Sequence, residues 1–168
     1  MPDPTQKPRI AIGADHAGFH LKEAVKRFLR EQGYEVQDVG TDSEASVDYP
    51  DFARLVAEKV ARGEADLGLL ACGTGIGMAM TANKVPGIRA AVAHDAFTAR
   101  LARQHNNANV LALGGRVLDE PTALAIVREF LNAQFEGGRH QRRLEKIAAL
   151  ENTLQETEQA ARSGNHGA

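Results

Sequence analysis

Five short apolar runs, at 10–14, 34–39, 67–71, 88–93 and 110–113, alternate along this chain with longer stretches of helical period. That alternation is the signature of a parallel sheet covered by helices on both faces, an α/β Rossmann-like three-layer sandwich with a five-stranded sheet. From Gly18, the apolar residues Leu21, Ala24, Val25, Phe28 and Leu29 recur at helical spacing, with Lys22, Glu23, Lys26, Arg27 and Arg30 between them, and Gly33 closes the segment. Phe52, Leu55, Val56 and Val60 form a second helical face before Gly63, a third helix begins within 75–80, and a fourth covers 96–104. Leu124, Val127, Phe130 and Leu131 give a fifth helix, starting near Pro121, its buried face.

Beyond Gly137-Gly138 the pattern changes, because Leu144, Ile147, Leu150 and Leu154 repeat on a helix with no strand left to cover. Such a helix packs on a partner subunit or on its own domain. The expected organisation is a flexible N-terminal segment at 1–8, one domain at 9–151 that includes this helix, and a polar tail at 152–168, fraying and partly disordered. A chain of 168 residues buries a core without staples, and one Cys cannot bridge within the chain, so a reducing, cytoplasmic setting is expected. The formal net charge of -2 provides no broad positive field, which disfavours nucleic acid and anionic membranes as partners. No apolar run approaches the length of a membrane span.

In an open parallel sheet, ligands bind beyond the carboxyl ends of the strands, where the strand order reverses. Strand one runs into Asp15-His16-Ala17-Gly18, strand three into Cys72-Gly73-Thr74-Gly75-Ile76-Gly77, strand four into His94-Asp95 and strand five into Gly114-Gly115-Arg116. With a flavodoxin-like order 2-1-3-4-5, the Asp15-His16 turn and the Cys72 loop are neighbours at the switch point. Three glycines between 73 and 77 let backbone N–H groups turn toward an anion, or simply make a tight turn. Neither a dinucleotide fingerprint nor a phosphate loop fits: the third Gly comes one residue early and after strand three, and Phe19-His20 stand where Lys-Ser/Thr is needed after Gly13 to Gly18. Cys72, at a strand end ahead of a helix start, is placed to act as nucleophile or base; a lone cysteine is otherwise a small buried hydrophobe. Cys72 belongs to no C-x-x-C arrangement, and no metal site is expected.

Arg139 and Arg143 lie four residues apart at the start of the last helix, a spacing suited to clamping phosphate or to a solvated basic face paired with Glu136 or Glu145. His105-Asn106 closes helix four, at the opposite edge of the sheet from Cys72. A ligand that used both would need a second subunit; alternatively, the pair caps the helix.

The segments Gly13 to Gly18, Asp48-Tyr49-Pro50, Cys72 to Gly77, Asn83-Lys84, Arg103 to Asn106 and Gly137 to His140, in this order and spacing, resemble the ribose-5-phosphate isomerase B family and its relatives that act on galactose or allose 6-phosphates. The resemblance runs from about Arg9 to Glu151. It implies an aldose-ketose isomerase of the pentose phosphate pathway, interconverting D-ribose 5-phosphate and D-ribulose 5-phosphate through a cis-enediolate. It also implies a homodimer or dimer of dimers with shared sites, and no metal or organic cofactor. Carried over to this chain, Cys72 matches the base, and Ile76 stands where members with Ser at position 72 carry a catalytic Glu. Gly73, Thr74, Gly75, Ile76 and Gly77 match the loop that holds the developing oxyanion. Asp15 is placed for proton movement between O1 and O2, and His105 matches the residue assisting ring opening. His16, Tyr49 and Asn106 match substrate contacts, as do Arg116, Arg139 and Arg143, the last two best suited to the phosphate. Asn107 departs from the family, many members having Asp there. The alternatives are the same chemistry on a six-carbon phosphate, and a non-catalytic module that binds a phosphosugar.

Overall fold

Leu67, Leu69 and Ala71 alternate with Leu70 and Cys72 on β3 (Leu67–Cys72), a strand buried along its whole length. A strand apolar on both sides needs a helical layer over each face, and both layers are present. Around it the chain builds β1 (Ile10–Ala14), α1 (Phe19–Glu31), β2 (Val36–Asp38) and α2 (Tyr49–Ala61) before it, then α3 (Ile76–Ala82), β4 (Ala90–Val92), α4 (Ala96–Gln104), β5 (Val110–Gly114), α5 (Glu120–Asn132) and α6 (Arg139–Gly164). The computed structural model describes residue 3 and residues 5–165. No helix among these residues is long and apolar enough to cross a membrane.

All pairings in the five-stranded sheet are parallel, in the order β2-β1-β3-β5-β4. Ile12, Leu69, Leu111 and Leu113 pack with Leu21, Val25 and Leu29 of α1, Ala99 and Ala102 of α4, and Ile126, Val127 and Phe130 of α5. On the opposite face, Ala11, Leu70, Cys72, Val110 and Ala112 meet Ala53, Val56 and Ala57 of α2 and Met78, Ala79 and Ala82 of α3. Each wholly buried Leu, Ile or Phe adds about 1.5–3 kcal/mol, so this two-faced core carries the fold.

Four expectations change. The last two strands are exchanged relative to the order 2-1-3-4-5: β5 is buried throughout and takes an interior place, whereas the three-residue β4 is half-buried and forms the edge. Lys22, read as one of the charged residues between the apolar positions of α1, is 1 % exposed; its Nζ donates to Asp38 Oδ1 at 2.8 Å and to the Thr41 carbonyl at 2.6 Å, which satisfy the ammonium inside the protein. Leu55 is exposed, the buried face of α2 being Ala53, Val56 and Ala57. The polar tail is helical as far as Gly164, since the run from Asn152 through Ser163 has neither Gly nor Pro and is rich in Ala, Gln, Glu and Arg, which favour helix; residues 166–168 lie outside the described residues.

The chain divides into two compact units after Phe135, within the span read as one domain. The first holds the sheet and α1 to α5. The second holds α6, on which Ile147, Leu150 and Leu154 are exposed.

Candidate active site

β1 and β3 are neighbours, so their carboxyl ends deliver two loops side by side. Asp15 N–H donates to the Ala71 carbonyl at 3.2 Å, extending the ladder beyond β1 and binding the loop that follows it to β3. The Asp15 carboxylate is buried, and its Oδ1 accepts the N–H groups of Ala17 and Gly18, both at 3.0 Å. Its direction is therefore set by backbone donors. His16 Nδ1 accepts the Val47 N–H at 3.2 Å, which leaves Nε2 as the proton-bearing nitrogen of the neutral ring.

Cys72 is the last residue of β3, and period two turns its side chain to the α2/α3 face. The chain then bends back so that the Gly75 N–H donates to Cys72 Sγ at 3.2 Å. Gly75 has φ +81°, in the left-handed region, and an added Cβ would stand 3.1 Å from the backbone of Leu113, so a side chain there is strained in its backbone and pressed against that strand. Ile76 N–H donates to Thr74 Oγ1 at 3.3 Å. Strand five supplies the other wall: Gly115 N–H donates to the Cys72 carbonyl at 2.7 Å and Arg116 N–H to the Gly73 carbonyl at 3.0 Å, with the Arg116 guanidinium lying over Gly73. Tyr49, first residue of α2, brings its ring over Gly77, where an added Cβ would be 2.6 Å from the ring. Gly77 is a glycine because of that close approach.

These loops enclose an open cleft of about 460 Å³ lined by Asp15, His16, Tyr49, Cys72, Gly73, Thr74, Ile76, Gly77 and Arg116. Gly75 belongs to the same loop. Met80 and Ala17 also line it and were not singled out from sequence; Met80 is one helical turn beyond Ile76, a signal that helix periodicity contains once α3 is known to start there. Ile76 and Met80 are 52 % and 64 % exposed, so the mouth of the cleft has an apolar rim.

His105 and Asn106 are elsewhere. His105 caps the C-terminus of α4, its N–H donating to the Leu101 carbonyl at 2.8 Å, and the chain enters the amino end of β5 five residues later, at Val110. The cleft lies at the carboxyl end of that strand; five residues of strand separate the two edges by roughly 15 Å. His94-Asp95 ends strand four outside the cleft, where Asp95 Oδ1 accepts the Thr98 N–H and caps α4. Asn83 pins the edge strand, exchanging hydrogen bonds with the Ala90 backbone at 2.8 and 3.0 Å. Arg139 and Arg143 are both exposed in the first turns of α6. Of the carboxylates considered as their partners, Glu145 accepts from Gln141 at 3.2 Å and Glu136 pairs with His140 at 3.6 Å.

Residues 10–147 match the family described as Ribose/Galactose Isomerase. Over 143 residues the chain is 52 % identical to the ribose-5-phosphate isomerase B of Escherichia coli, covering 85 % of this chain and 96 % of that protein. The ribose-5-phosphate isomerase B structure from Clostridium thermocellum superposes with a TM-score of 0.86 at 52 % identity, over 87 % of this chain and 99 % of that one. That of Mycoplasma genitalium, solved with bound ribulose-5-phosphate, gives a TM-score of 0.83 at 49 % identity, over 86 % of this chain and 96 % of that one.

Proposed function

The chain belongs to the ribose/galactose isomerase family, and from that premise we propose that it interconverts D-ribose 5-phosphate and D-ribulose 5-phosphate through a cis-enediolate, with Cys72 as the base. The observation that carries the assignment of the base is the Gly75 N–H directed at Cys72 Sγ in a cleft that also gathers Asp15, Thr74 and Tyr49. A fixed donor facing the sulfur stabilises charge there without reorganising during the reaction.

The steps are proton transfers. Ring opening moves a proton from O1 to the ring oxygen O4, with His105 assisting. The Cys72 thiolate takes the C2 proton of the open aldose; the C2–H electron pair becomes the C1–C2 double bond and the carbonyl pair settles on O1. Thr74 and the backbone from Gly73 to Gly77 face this oxyanion. A proton passes from O2 to O1 beside Asp15, whose carboxylate is held by two backbone donors. The Cys72 thiol then protonates C1, the C2 carbonyl forms, and the thiolate is restored. His16, Tyr49, Asn106 and Arg116 hold the sugar, and Arg139 and Arg143 hold the phosphate through forked donors.

The complete site lies between two copies of the chain. His105 and Cys72 stand at opposite edges of one sheet, so a His105 that reaches the sugar at Cys72 comes from a partner in a homodimer, whether alone or as half of a dimer of dimers. The apolar rim of Ile76 and Met80, with exposed Phe97 on α4, suits such a contact.

The test is an NMR time course of ribose 5-phosphate with the purified chain in D2O containing EDTA. Ketose formation together with solvent deuterium in the product is the expected result; folded protein that yields neither overturns the reading. Allose 6-phosphate run in parallel separates five-carbon from six-carbon preference by kcat/KM.

A further inference from the structure

Residues 105–109 carry His105 and Asn106, and the turn that follows them is held from outside. Asn107 has φ +44°, the left-handed region in which Asn, after Gly, commonly ends a helix. One side chain does most of the holding. Arg103 Nη1 donates to Asn107 Oδ1 at 3.1 Å and to the Ala108 carbonyl at 2.6 Å, gripping the turn by both a side chain and the backbone. The same guanidinium lies 5.7 Å from the ring of wholly buried Phe130 on α5, which fixes it against the core. A second arginine completes the hold: Arg89 Nε donates to the Asn107 carbonyl at 2.8 Å, and the Arg89 N–H donates to Asn109 Oδ1 at 2.7 Å.

This is an expensive way to close a helix. Burial, and then the positive charge of Arg89, both work against the charge on Arg103 and push its affinity for the proton below the usual guanidinium range. A helix C-terminus needs only a left-handed Gly or Asn, and here two cations are added to a turn that Asn107 already closes. Planar, multiply bonded Arg restricts the direction of the loop as well as its end, because a single nitrogen meets two acceptors from different residues.

We propose that Arg103 is a positioning residue for the ring-opening step: by clamping Asn107 and Ala108 it fixes the direction in which His105 and Asn106 leave α4 toward the sugar bound by a partner copy. This rests on the role given to His105 above. It predicts that losing the clamp slows ring opening and leaves proton abstraction by Cys72 untouched.

The test uses ribose 5-phosphate deuterated at C2, whose isotope effect on kcat/KM reports whether C2–H cleavage limits the rate. In Arg103→Met and in His105→Ala, kcat/KM is expected to fall on the order of 100-fold, with the isotope effect collapsing toward unity as ring opening becomes limiting. Arg103→Lys, which can still reach both acceptors with one nitrogen, should recover part of both quantities. If Arg103→Met folds like the parent and loses rate with the isotope effect intact, while His105→Ala collapses it, Arg103 serves the fold alone and the proposal is overturned. An isotope effect that survives in His105→Ala as well removes the ring-opening role of His105 and this proposal with it, while isomerase activity is judged separately by the NMR time course.

Should Arg103→Met fail to fold, Asn107→Gly decides in its place, since it keeps the left-handed backbone and deletes the Oδ1 acceptor: collapse supports the clamp and an intact effect overturns it. Should the parent show no isotope effect, binding is read instead. Arg103→Met must then weaken the ring-locked 1,4-anhydroribitol 5-phosphate more than acyclic 5-phosphoribonate, and an equal loss for both overturns the proposal.

Discussion

The Cys72 sulfur faces one donor that sequence names only by spacing. The loop 73–77 reads as a nest for an anion or a tight turn, and in the fold Gly75 is held at φ +81° with its N–H directed at the sulfur, 3.2 Å away. Cys72→Ala removes the proposed base and leaves a cavity too small to unfold the protein, so kcat should fall about 10²–10⁴-fold with little change in KM or in thermal melting. A folded Cys72→Ala enzyme that keeps normal turnover removes Cys72 as base. Gly77→Ala tests a different point, since its Cβ would stand 2.6 Å from the Tyr49 ring and must push that ring out of the cleft wall. A rise in KM larger than the loss in kcat is expected from steady-state kinetics, because Tyr49 is assigned to holding substrate. Most of the cleft residues were legible as residues at strand ends, where a parallel sheet presents its loops. Met80 was not, because an apolar residue on a short helix reads as core until the helix boundary is known.

At the scale of elements, the sheet was legible from the apolar runs, and its neighbours were not. The runs that became β4 and β5 have similar composition, and the exchange of their places depends on which one is covered by helices on both faces. Lys22 shows the same limit on α1: helical period predicts which positions face inward, but not that the end of β2 offers an ammonium a carboxylate and a carbonyl there. Asp38 sits in this cluster. Burial works against its charge, but hydrogen bonds from Lys22 and Lys26 and the Gly40 N–H outweigh burial and hold the carboxyl below its ordinary range. A carboxyl lowered in the folded state binds its proton more readily unfolded, so its contribution is present above the unfolded value near 3.9 and is lost as pH falls through the lower folded one. Asp38→Asn removes the carboxylate paired with Lys22, leaving it the Thr41 carbonyl and Glu23 Oε1 at 3.3 Å, and should cost about 1–3 kcal/mol, measured by urea unfolding at pH 7. The gap between variant and parent should narrow in acid below about pH 4 as Asp38 itself becomes neutral.

At the scale of the whole molecule, two assignments meet at a distance a single sheet does not bridge. Cys72→Ala and His105→Ala are each expected to keep about 1 % of parental activity or less alone, and mixing them after reversible subunit exchange should restore up to about a quarter of it, the share of intact sites when the two impaired chains pair at random. No recovery after demonstrated exchange places each site within one copy. The last turns of α6 lie beyond residue 147, where the family match ends, and 143 residues of this chain match 96 % of the E. coli relative. A chain ending at Glu151 should therefore keep its circular dichroism spectrum and its kcat/KM; loss of either shows that residues 152–165 stabilise the catalytic unit. By itself, the sequence determined the layered α/β architecture and the set of chemical groups at the strand ends, because apolar periodicity and glycine spacing are local properties of the chain. Only the tertiary structure decided the order of β5 and β4, the burial of Lys22, the direction of the Gly75 N–H and the clamp of Arg103 on Asn107. Each of these joins groups separated along the chain or turns a backbone bond, and its energy exists only once packing has brought the partners within a few ångströms.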